Sequence, residues 1–132
     1  MTRVVVPVRY PLSERSERTL ASAIEIAEDR GAELTVLHVD LYQAGRTVTR
    51  GDLRRAVERK FGRVPRTRYA VRNGFLVEET ILEEVAEGDA DVVVIGDRQA
   101  GRLRRLVRRV IDGPDVDQYL RGHLDCEVVT VT

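Results

Sequence analysis

Two short, unbroken apolar runs constrain this chain more than any other feature. Val4-Val-Val-Pro-Val8 stands near its beginning and Val92-Val-Val-Ile95 well into its second half. Runs of this length without polar alternation need cover on both faces, which is the pattern of strands inside a parallel sheet. Pro7 has no N–H to give to a ladder, so it belongs near the end of the first strand, predicted over Arg3 to Val8.

Between the runs the apolar residues change period. Leu20, Ala23, Ile24 and Ala27 recur at helical spacing behind Ser13, whose hydroxyl suits an N-cap, and Gly31 supplies the stop. Glu33 to Val39 reads as a second strand, followed by a loop containing Gly45. Thr49 with Asp52 three residues on begins a second helix, with Leu53, Ala56, Val57 and Phe61 on its apolar face. Past Pro65, Arg66 to Val71 alternates weakly, as a strand nearer the sheet edge would, and Asn73-Gly74 marks a turn.

Val77, Ile81 and Val85 then form the stripe of a third helix, with Glu78, Glu79, Glu83 and Glu84 expected to face water. Asp91 to Ile95 is the clearest strand in the chain. Leu103, Leu106, Val107, Val110 and Ile111 recur at helical spacing with Arg104, Arg105, Arg108 and Arg109 between them, an amphipathic basic segment. Pro114 and Asp115 suit the start of a further helix reaching Arg121, and Glu127 to Val131 is the last strand. Strands alternating with helices imply right-handed crossovers onto a five-stranded parallel sheet, a three-layer, doubly wound α/β domain over residues 1–132.

At 132 residues with 42% hydrophobic content the chain suits one globular domain. No run approaches the ~20 apolar residues that a bilayer crossing demands, and the start lacks a charged leader with a cleavage site. A cytoplasmic location is expected. The single cysteine, Cys126, cannot form an internal disulfide, and neither it nor His38 or His123 sits at metal-ligand spacing, so no metal is expected. His38 follows an apolar strand and reads as a structural histidine. Cys126 reads as buried and inert.

The 22 basic and 22 acidic residues cancel in sum but not in place. From Arg46 to Arg72 there are ten basic side chains and only Asp52 and Glu58 as acids, while the balancing acids gather at Glu25 to Asp40 and Glu78 to Asp91. Such a polarised surface attracts anions. The basic segment after Gly96 allows a membrane surface, an acidic partner or nucleic acid. The plainer reading is that its apolar stripe covers the sheet while its arginines face water, and the scarcity of aromatics speaks against specific nucleic-acid binding.

Four features in this order resemble the universal stress protein (UspA-like) family across essentially the whole length. They are Val4-Val-Val-Pro-Val8 followed by Ser13-Glu14-x-Ser16-Glu17-x-x-Leu20, the Leu37-His38-Val39 strand end, Val92-Val-Val-Ile-Gly96 before an Arg/Leu-rich segment, and the closing Cys126-x-Val128-Val129-x-Val131. The resemblance implies strand order 3-2-1-4-5, with a ligand site at the switch point between the ends of strands one and four. It places the candidate binding residues at Arg9, Val39, Gly96, Arg98 and Gly101. It also implies a homodimer through Glu127 to Val131, and a non-enzymatic stress-response or regulatory role.

Members of that family that bind ATP have an Asp ending the first strand and a G-x-x-G-x9-G-[ST] stretch that brings backbone N–H groups against phosphates. Here Arg9 stands where that Asp belongs, and counting from Gly96 the later motif positions fall on Gln99, Arg109 and Val110. A gapped alignment through Gly101 and Gly113 ends on Pro114, which has neither hydroxyl nor N–H. Little or no ATP binding is therefore expected. Two alternatives remain at Arg9: it pairs with Asp97 or Asp40 in a vestigial pocket, or it joins the arginines after Gly96 in reading a nucleotide (ATP or AMP) or other anion. No motif of a nucleophilic or metal-dependent enzyme is present.

Overall fold

The chain is described by a computed structural model over residues 1–45, 47–110 and 126–132. The strands are β1 (Arg3–Pro7), β2 (Glu33–Leu41), β3 (Thr67–Gly74), β4 (Val92–Gly96) and β5 (Glu127–Val131). They lie in the order β3-β2-β1-β4-β5, and every neighbouring pair is parallel. The helices are α1 (Glu14–Arg30), α2 (Arg50–Phe61), α3 (Val77–Glu87) and α4 (Asp97–Val110), with a 3-10 turn at Tyr42–Ala44. The helix expected over Asp115 to Arg121 lies outside the described residues.

The period-two alternation of the strands divides the core. Val4, Val6, Leu34, Val36, Val92 and Val94 pack with Leu20, Ala23 and Ala27 of α1 and with Leu53 and Val57 of α2. Val5, Leu37, Val39, Val93 and Ile95 face the other way, onto Ile81, Leu82 and Val85 of α3 and Ala100 and Leu103 of α4. Fully burying a Leu or Ile such as Leu20 or Ile81 contributes roughly 1.5–3 kcal/mol, and this two-sided cover is why the strand runs carry no polar alternation.

Helix ends follow their local chemistry. The Ser13 hydroxyl accepts from the Ser16 N–H at 3.1 Å, and α1 stops at Gly31, whose φ of 59° is left-handed. Thr49 and Asp52 form a reciprocal capping box at the start of α2. Three local expectations change, one of them at Glu78, whose side chain is only 17% exposed and lies 3.6 Å from Arg102. Residues Asn73 and Gly74 close β3, paired with Asp40 and Leu41, in place of forming a turn. Gly74 is needed there for space, since a Cβ would collide with Thr80 Oγ1. Glu84 does not face water: it is 5% exposed and paired with Arg72 and Arg68, because the α3 surface it occupies packs beside β3.

Pro7 shapes the sheet's middle. Val8 donates to the Leu37 carbonyl at 2.8 Å, which sets the even-numbered residues of β1 toward β2 and the odd ones toward β4. The pairing of β1 with β4 is limited to Val4↔Val92 and Val5↔Val93. The next donor toward β4 would be residue 7, and proline has none to give. The two strands part at that point.

Candidate functional site

A cleft of about 770 Å³ opens where β1 and β4 part, a size suited to a small ligand. Its floor comes from the ends of β1, β2 and β4, including Val8, Val39 and Gly96, and its walls from the first turns of α1 and α4. Five arginines line it, Arg9, Arg15, Arg18, Arg98 and Arg102, against one carboxylate side chain, Asp97. Arg102 lies 3.6 Å from Glu78. Among the described residues the other four have no carboxylate within ion-pair distance.

Of the sequence-derived candidates, Arg9, Val39, Gly96 and Arg98 are brought together on this cleft. Gly101 is not: it sits inside α4, with open space where a Cβ would go. Arg9 does not pair with Asp97 or Asp40. Asp40 is buried and accepts from the Val48 N–H at 3.0 Å, and Asp97 accepts from the N–H of Arg98 at 3.0 Å. The side chain of Arg9 is exposed, while its N–H donates to Ser16 Oγ at 2.9 Å and anchors the strand end to α1.

Sequence reasoning overlooked Arg15 and Arg18. The signal was available: spaced i, i+3 behind the Ser13 cap, they share one face of the first turn of α1, which a right-handed crossover sets beside the end of β1.

Histidine 38 ties the floor together. Its Nδ1 lies 3.1 Å from the Val8 carbonyl, an oxygen that can only accept, so Nδ1 carries the proton. The ring also meets Tyr10 edge-on, with centroids 6.1 Å apart. This is a structural role, joining β2 to the strand end after Pro7.

The route from β4 into α4 decides what kind of anion site this is. Helix α4 begins at Asp97, directly after Gly96, with no intervening loop, and Asp97 puts a carboxylate in its first turn. The positive end of the helix is thus met by the chain's own acid. A Cβ on Gly96 would lie 3.8 Å from Thr19 Oγ1, an ordinary contact, so no close backbone approach demands glycine here. What remains for an anion is a ring of guanidinium side chains. Among the described residues no group of three or more His, Cys, Asp or Glu side chains could hold a metal ion, and no helix is long and apolar enough to cross a membrane.

No protein-family model matches the chain, and no curated protein does. Solved structures do match. A universal stress protein family member from Burkholderia pseudomallei superposes with a TM-score of 0.65 at 19% identity, over 98% of this chain and 95% of that one. The universal stress protein from Archaeoglobus fulgidus in complex with dAMP gives 0.57 at 22% identity, over 100% and 98% of the two chains. A universal stress protein in complex with cAMP gives 0.60 at 17% identity, over 97% and 96%. With the sheet order, the two-sided helix cover and the cleft at the β1/β4 divergence all in place, this chain has the fold of the universal stress proteins.

Proposed function

We propose that this protein is a non-enzymatic, universal stress-type regulatory protein that acts as a homodimer through β5 and binds ATP weakly or not at all. The observation that carries the ATP reading is the direct entry from Gly96 into α4 at Asp97. It leaves no glycine-rich loop to wrap a triphosphate and puts a carboxylate where phosphate would otherwise meet backbone donors. A non-enzymatic role is supported by Cys126, whose thiol burial pushes up to about 11, and by His38, whose ring is held by the Val8 carbonyl.

The dimer reading rests on β5, an edge strand with Val128 54% exposed and its outer backbone groups unpaired by any described strand. A two-fold partner completes both edges with one patch.

A second reading is favoured by the arginine ring: the cleft accepts a nucleoside monophosphate or similar anion through side chains. Two structural neighbours hold cAMP and dAMP, and Arg9, Arg15, Arg18 and Arg98 lack carboxylate partners among the described residues. Native mass spectrometry of freshly purified protein separates the two. A dimer mass without added ligand supports the first reading, and a co-purified nucleotide supports the second.

A further inference from the structure

We infer that the outer edge of β3 is a docking strand for an extended, acidic peptide segment of a partner protein, separate from the cleft at the strand ends. Strand β3 is eight residues long, has no proline and pairs with β2 in unbroken register along its whole length. No described strand lies on its other side. The ladder's phase is fixed by Leu34, whose N–H donates to the Arg66 carbonyl at 3.0 Å. Even-numbered residues of β3 therefore serve β2, and the N–H and C=O groups of Thr67, Tyr69, Val71 and Asn73 point outward. Such a row is a template for a further strand.

The surroundings select the occupant. A cleft of about 1080 Å³ wraps this edge, walled by α2 on one face and α3 on the other, and seven arginines and four glutamates line it. Arg3, Arg54, Arg68 and Arg72 are engaged by those glutamates. Arg50, Arg63 and Arg66 have no carboxylate partner among the described residues, and Arg66 reaches only the Gly31 carbonyl, at 3.2 Å. The unmatched charge is positive, so an acidic strand is complementary.

Other occupants fit less well. A nucleic-acid backbone has no alternating row of N–H and C=O groups to pair with those that Thr67, Tyr69, Val71 and Asn73 turn outward. Tyr69, partly buried against the core, is the one aromatic in the lining, so the edge carries no row of stacking platforms for successive bases. A second copy joined β3 to β3 would set the positive excess against itself, and β3 joined to β5 would be a head-to-tail contact that grows without closing. An acidic strand at β3 leaves β5, at the opposite sheet edge, free for a dimer partner.

The test titrates the isotope-labelled full chain with a synthetic peptide of alternating glutamate and valine, its lysine–valine counterpart and a thymidine oligonucleotide. The expected result is hydrogen-exchange protection at Thr67, Tyr69, Val71 and Asn73, with the glutamate peptide bound at least about tenfold tighter than the lysine one. Arg50→Glu combined with Arg63→Glu should weaken binding by a similar factor while leaving the melting temperature within a few degrees. Asn73→Pro should block strand addition, because its lost N–H points outward and the ladder to β2 survives. Absence of protection at those amides, equal binding of the lysine peptide, preference for the oligonucleotide, or unchanged affinity in the charge-reversed variant would each overturn the inference. Should the proline variant fail to fold, the charge-reversed variant decides alone.

Discussion

Arg72 on β3 donates through Nε to the carboxylate of Glu84, which is almost fully buried on α3, and through Nη2 to Glu87 at 2.7 Å. Burial works to lower the Arg72 pKa, but the bonds to Glu87 and Glu84 outweigh it and hold the guanidinium above its ordinary value. Breaking one side of this pair leaves a buried carboxylate with only Arg68, 3.7 Å away. Arg72→Met should therefore destabilise the fold by about 3 kcal/mol, whereas Arg72→Met with Glu84→Leu should recover most of the loss. Urea denaturation of the wild type, the single and the double variant checks this. A double variant no more stable than the single one would show that the pair stabilises beyond mutual neutralisation.

The proposed β5 dimer has a backbone-specific test. Glu127 donates to the Asp91 carbonyl at 2.9 Å, so residues 127, 129 and 131 serve β4, and Val128 and Thr130 direct their N–H groups outward. Val128→Pro should leave the sheet intact and dissociate the dimer, while Val129→Pro should damage the fold itself. Sedimentation at micromolar concentration, with a melting curve for each variant, distinguishes these outcomes. A native chain sedimenting near 14.9 kDa would remove the dimer.

Two glycines should respond oppositely to alanine. Gly101 lies within α4, and a methyl group placed there would meet nothing within 4 Å, so Gly101→Ala should stabilise by about 0.5–1 kcal/mol. Gly74→Ala meets the Thr80 hydroxyl, which itself donates to the Leu76 carbonyl at 2.8 Å, and should cost roughly 1–3 kcal/mol. Thermal melts suffice. A destabilised Gly101→Ala would place that glycine in a loop after all.

Cys126 should label slowly. Burial first, then the charge of Asp91, pushes its thiol from 9.0 up to about 11, which leaves about a hundredfold less thiolate near pH 8. The sign for stability follows from the raised folded value. The contribution is fully present below the thiol's ordinary pKa, and it is lost as pH rises through about 11. Iodoacetamide labelling of native and urea-unfolded chain across pH 7 to 11 measures both, and equal rates at pH 8 would contradict the assignment.

Calorimetric titration with ATP should show weak or no heat, and Arg9→Asp should not restore binding, because the carboxylate of Asp97 at the α4 start remains. If the arginine ring binds AMP, that affinity should fall with salt and with Arg15→Ala or Arg18→Ala. Micromolar, magnesium-dependent ATP binding by the native chain would reverse this reading.

The class of fold was legible in the order of residues alone. The Val-rich runs, the capped helices behind Ser13 and Thr49 and the stop at Gly31 are local signals, each governed by period, cap chemistry or backbone freedom within a few residues. Their alternation left a parallel sheet as the consistent solution, and the family resemblance, which implied the strand order and so the switch point, brought Arg9, Val39, Gly96 and Arg98 together. The rest waited on three-dimensional packing, since it depends on which atoms face each other across residues distant in the chain. Glu84 became buried because β3 supplies Arg72 and Arg68 beside it. Arg9 has no carboxylate within ion-pair distance among the described residues, while Asp40 and Asp97 accept from the backbone N–H groups of Val48 and Arg98. The phase of each ladder, which turns the backbone nitrogen of Pro7 toward β4 and the N–H of Val128 outward, is set by a single pairing register that no local pattern encodes.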